Sequence, residues 1–152
     1  DEYLSIFPDA FAGLMEKLRI DKLYFALSER QNWLGRRGKI KPLKETFKNL
    51  TRITKNKRYF EAFEVDKDSI KEFAQIIFML GRYDASMSYL HILSDKVEAG
   101  FNICKYGNLH IEIYSKELET QIKSVLAADI NLKIVQEEVD FTGDFDKRKI
   151  VV

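Results

Sequence analysis

Cys104, His110 and Glu112 are the residues in this chain whose types, set close together, could do covalent chemistry. An imidazole beside a thiol helps generate the nucleophilic thiolate, and a carboxylate can orient the ring. Their proximity follows from an expected β-meander over residues 86–115. With Asp95-Lys96 as a two-residue turn, Ile92 faces Ala99 and Leu90 faces Phe101. With Tyr106-Gly107-Asn108 as a three-residue loop, Ile103 faces Ile111 and Phe101 faces Ile113. Both registers put Leu90, Ile92, Ala99, Phe101, Ile103, Leu109, Ile111 and Ile113 on one face. A one-residue slip would scatter that apolar set over both faces. On the opposite face Cys104 then falls across from His110, Asn102 from Glu112, and His91 from Gly100.

The bland account of the same patch is that a cysteine is often a small buried hydrophobe. No nucleophile elbow or glycine-rich oxyanion loop surrounds Cys104. Gly35-Arg36-Arg37-Gly38 lacks the glycine spacing of a phosphate-binding or dinucleotide-binding loop, and neither HExxH nor an EF-hand loop occurs. The thiol enzyme is therefore a minor alternative, with no catalytic residue assigned, no cofactor and no metal.

Electrostatics offer the stronger lead. The 152 residues carry 25 Lys+Arg against 24 Asp+Glu, a net charge of +1 that hides a segregation along the chain. Residues 30–58 hold Arg30, Arg36, Arg37, Lys39, Lys41, Lys44, Lys48, Arg52, Lys55, Lys57 and Arg58 against Glu45 alone, a balance of +10. Such crowding is self-repulsive unless internal acids or a partner answer it. With Trp33 able to stack on a base, the segment reads as a polyanion-binding site, nucleic acid first among the candidates. Two other accounts stand beside it. Trp33 could plug the core under a loop, and Glu137, Glu138, Asp140, Asp144 and Asp146 could fold back onto the cations and leave a mixed surface. A protein-interaction module of inhibitor, immunity or adaptor type would use the same segment against an acidic partner, or an apolar helix near residues 70–80.

The elements that must position these residues follow from periodicity. Helices are expected over 8–19 with Pro8 in the first turn, from Pro42 with Leu43, Phe47, Leu50 and Ile53 on one face, and over 68–80. The third has Ser69 and Glu72 spaced as a capping box and Gly81 as its stop. Ser115 caps a fourth helix running to about Ala128, with Leu118, Ile122, Val125 and Leu126 as its stripe. Strands are expected at 23–27, 58–65 and 131–139 besides the meander. This is an α+β pattern over a single domain, 1–152: a mostly antiparallel sheet of five to six strands with helices packed on one face. A lone cysteine excludes an internal disulfide. No apolar run approaches a membrane span, and acids at Asp1, Glu2 and Asp9 argue against a secretory leader at this start. The expectation is a non-enzymatic, cytoplasmic binding domain.

Overall fold

Alternation of buried with less buried positions along the strands at 22–27, 63–66, 90–93, 99–103 and 109–113 decides which way the sheet faces. The computed structural model describes residues 2–27, 41–55, 62–83, 90–103, 108–129, 131–134, 136–140 and 147–151. The described elements run α1 (Glu2–Lys17), β1 (Lys22–Leu27), α2 (Lys41–Thr54), β2 (Phe63–Asp66), α3 (Lys67–Tyr83), β3 (Leu90–Leu93), β4 (Ala99–Ile103), β5 (Leu109–Ile113), α4 (Lys116–Ala127), β6 (Gln136–Asp140) and β7 (Lys147–Val151). The strands form one sheet in the order β2-β1-β3-β4-β5-β7-β6, antiparallel at every pairing. The α+β architecture is as the patterning implied, with seven strands instead of five to six. The additional strand is β7, whose Lys147-Arg148-Lys149 hides the period-two signal that Ile150 alone carries.

One row of buried side chains crosses five strands, Phe25 to Ile92 to Phe101 to Ile111 to Ile150. The helices cover that face. α3 lies between α1 and α2 and also touches β1 and β2, which is why it is apolar almost all round. Its Phe73 ring sits 4.1 Å from that of Phe25 and 6.1 Å from that of Phe63. Phe7 of α1 meets Phe78 at 5.4 Å.

That packing explains why helix boundaries depart from local signals. α1 begins at Glu2, so Pro8 lies inside it and not in its first turn. Burial of Phe7 against Phe11 and Phe78 outweighs a proline penalty of about 3 kcal/mol. β2 runs straight into α3, with Lys67 N–H donating to Asp21 C=O at 2.8 Å. Ser69 is therefore inside the helix, not its cap, and Gly81 is passed over before the end at Tyr83. Ser115 does cap α4, accepting from Leu118 N–H at 3.4 Å.

The meander registers differ from expectation by two residues. Ile92 faces Phe101 and not Ala99, which lies two residues nearer the turn, and Phe101 faces Ile111 where Ile113 was expected. A slip of two preserves both faces, so the apolar pattern could not exclude it. The turn decides. Residues 95–98 bend together, Lys96 N–H donating to Ser94 Oγ at 3.0 Å.

Two helix ends carry testable detail. At the end of α1, Ile20 N–H reaches Met15 C=O and Arg19 N–H reaches Glu16 C=O, both at 2.9 Å, a Schellman motif with Arg19 at φ 57°. A side chain is strained in that left-handed region, so Arg19→Gly is expected to stabilise the protein by about 0.5–1 kcal/mol, read by urea denaturation.

After α4, Asp129 Oδ1 accepts from Asn131 N–H at 2.8 Å and Leu132 N–H at 3.2 Å, while Oδ2 accepts from Lys17 Nζ at 3.1 Å. Burial pushes this carboxyl upward, yet the hydrogen bonds from Asn131, Lys17 and Leu132 and the Lys17 charge hold it below the ordinary aspartate range. A depressed folded-state pKa gives stability that is present above the unfolded value and lost as pH falls through the folded one. Asp129→Ala is therefore expected to cost about 2 kcal/mol at pH 7. Its deficit against the parent should shrink as pH drops below about 4, measured by denaturation at a series of pH values.

Candidate functional site

The sheet face turned away from the helices carries both histidines. His91 on β3 faces Asn102 on β4, and Asn102 faces His110 on β5, so the two imidazoles flank one amide. Asn102 Nδ2 donates to Leu90 C=O at 2.6 Å, which ties the amide to the backbone. Glu112 faces Gly100 and accepts from the Tyr114 hydroxyl at 3.1 Å. Asn102 thus opposes His110 where Glu112 was expected, and His91 opposes Asn102 where Gly100 was expected. His110 and Glu112 share the face two residues apart on β5, a Cα separation of about 7 Å. Cys104 lies outside the described residues, and His110 has Asn102 as its β4 partner, not Cys104. Among the described residues no group of three or more His, Cys, Asp or Glu side chains could hold a metal ion.

The row of His91, Asn102 and His110 is not legible in the sequence, because it depends on where each turn is centred and periodicity does not fix that. The 95–98 bend centres the β3–β4 pairing one residue later than an Asp95-Lys96 turn would, and the β4–β5 pairing is centred one residue earlier than a 106–108 loop would place it; each change shifts the register by two.

The other candidate is α2. Leu43, Thr46 and Leu50 are buried and Phe47 and Ile53 partly so, packed towards α3 and β2. The Thr51 and Thr54 hydroxyls donate back to Phe47 C=O and Leu50 C=O at 2.9 and 2.8 Å, so they are turned inward to the helix's own backbone. What faces outward is cationic. Lys41, Lys44, Lys48 and Arg52 are all exposed, and at 3.6 residues per turn they fall within an arc of about 80° along about 16 Å of helix. Lys55 follows immediately, exposed, in the left-handed conformation at φ 53°. Glu45 is the one acid on the helix, exposed beside the stripe.

Two electrostatic features set this stripe apart. The first turn of α2 contains no acid, so Lys41 and Lys44 add to the positive end of the helix dipole, where an acid would have offset it. Further, Lys41, Lys44, Lys48 and Lys55 form no ion pair with a described residue, whereas Arg52 Nη2 donates to Glu72 Oε1 on α3. Acids elsewhere are engaged elsewhere: Asp9 with Lys71, Glu16 with Lys67, Glu64 with Lys22, Asp129 with Lys17 and Glu119 with Lys123. Of the C-terminal acids, those on β6 are placed by backbone register at the far edge of the sheet. Glu138 and Asp140 stand in register with Lys149 and Lys147 of β7, on the edge strand farthest from β2. Six interstrand spacings, about 29 Å, separate the two edges. Arg30, Trp33, Arg36, Arg37, Lys39, Lys57 and Arg58, with Asp144 and Asp146, lie outside the described residues.

No family model, curated protein or solved structure matches the chain.

The apolar docking surface expected on the third helix is largely used internally. Ile70, Phe73, Ala74, Ile76, Ile77 and Leu80 are buried, and Phe78 and Met79 are half-buried. Among the described residues the exposed large apolar side chains are Tyr83, Leu93, Tyr114 and Ile134. Leu93 and Tyr114 share the outer sheet face with Glu112 and Gly100, so they do not make a continuous apolar patch of the kind that marks an interface. No described helix is long and apolar enough to cross a membrane.

Proposed function

We propose that the protein is a non-enzymatic binding domain that docks nucleic acid through the basic segment 30–58, with the outward face of α2 as its described part. The observation that carries this reading is the stripe Lys41, Lys44, Lys48 and Arg52, continued by Lys55, in which the four lysines have no acidic partner among the described residues. Unanswered cations on a rigid rod repel one another and raise the local potential, and a phosphate backbone relieves both. Within its arc the described stripe bears no aromatic or amide side chain, Asn49 lying about 60° beyond Arg52 around the helix. Its contacts are therefore with phosphates and not with base edges, which positions a chain without reading its sequence. The cytoplasm, as the site of action, belongs to the same proposal.

Fluorescence anisotropy with labelled oligonucleotides of arbitrary sequence, titrated at several salt concentrations, tests it. With four phosphate contacts, log K should fall against log salt with a slope of about −3.6 for a duplex and about −2.8 for a single strand. Absence of binding at low salt, or binding indifferent to salt, would overturn the reading. Salt-sensitive binding to an acidic protein with none to nucleic acid would transfer the stripe to a protein partner.

A further inference from the structure

We propose that Glu72 restrains polyanion docking by withholding Arg52 from the stripe; this rests on the reading of α2 as the docking face. Arg52 occupies the same arc as Lys41, Lys44 and Lys48, yet it alone of the stripe is bonded to a carboxylate, its Nη2 donating to Glu72 Oε1. The two residues belong to different helices, α2 and α3, which pack side by side. The pair is at the surface, with 64% of the Arg52 side chain and 35% of that of Glu72 exposed.

An exposed pair of this kind is weak and is screened by salt. Arg52 is thus available to a phosphate only in competition with an intramolecular carboxylate, while its lysine neighbours are available outright. A guanidinium donates to phosphate oxygens as readily as to a carboxylate, by the same fork geometry. Glu72 therefore occupies the position that a phosphate would take, and it also lowers the potential at that end of the stripe. Its removal turns a roughly three-turn array of partly neutralised charge into an uninterrupted one.

The test is binding of short fluorescein-labelled duplex DNA to the full chain and to its Glu72→Gln, Arg52→Gln and doubly substituted forms, across a range of salt. Glu72→Gln should tighten binding by about 3–5-fold near 0.1 M salt, the most that a weak exposed pair withholds, and steepen the log–log slope towards the further ~0.9 of one added phosphate contact. That gain should disappear when Arg52 is also replaced. Unchanged or weaker binding by Glu72→Gln overturns the inference, and so does an equal gain in the Arg52→Gln background, which would mean a general loss of negative charge. Circular dichroism melts verify that each variant is folded. If the parent chain binds with the expected salt slope and Glu72→Gln does not differ from it, this inference fails alone. If the parent does not bind, the docking reading fails with it.

Discussion

Phe73→Ala is expected to cost about 3–5 kcal/mol of folding stability. Phe73 is fully buried, and its ring joins two layers: it lies 4.1 Å from Phe25 on β1 and 6.1 Å from Phe63 on β2, with α1 and α2 flanking its own helix. Truncation removes the transfer free energy of the ring and leaves a hole that three elements would have to move to fill. Those elements hold one another in place, so relaxation is small and the cavity contribution stays high. Against a total of about 5–15 kcal/mol for a domain, this loss brings the variant close to unfolding at room temperature. Urea denaturation should show a large drop in midpoint at constant slope. Phe73→Leu, which keeps much of the volume, should lose clearly less. A Phe73→Ala cost below about 1 kcal/mol would mean that α3 does not pack on the sheet as described.

Replacing Lys44 and Lys48 together by glutamine should weaken nucleic-acid binding by about 60-fold at 0.1 M salt and reduce the log–log slope by about 1.8. The two lysines are neighbours on the exposed face of α2, four residues apart, with no ion pair to a described residue. Neutralising them removes two phosphate contacts and no packing, so folding should be untouched or slightly favoured by the relief of repulsion. Measured by anisotropy, the loss should be the same for unrelated sequences, because phosphate contacts carry no base information. A loss confined to one sequence, or no loss, contradicts the docking face.

What was legible in the sequence was mostly what period and capping chemistry determine. Alternation placed Leu90, Ile92, Phe101, Ile103, Leu109, Ile111 and Ile113 on the buried face, and all are buried. Ser115 was recognisable as a cap because its hydroxyl acts within one turn. The cationic face of α2 was legible for the same reason, being a matter of spacing within one helix. Properties that depend on two distant segments were not. The two-residue shift in both meander pairings leaves every face unchanged, so periodicity could not detect it, yet it replaces Cys104 by Asn102 opposite His110. Glu72 fits a capping box on local spacing, but β2 continues directly into α3 and frees that carboxylate for Arg52, twenty residues away.

The placement of β7 between β5 and β6 imposes an order on assembly. β6 leaves the ribosome before β7 but has no strand to hydrogen-bond until β7 arrives, since its described pairing is with β7 alone. β5, made earlier still, keeps one edge unpaired for the same interval, through the synthesis of α4 and β6. During that time the nascent sheet offers an open margin ending in Leu109–Ile113, able to recruit any extended chain nearby. Residues 147–151 close it, so the last described strand to be synthesised is the one that ends the exposure.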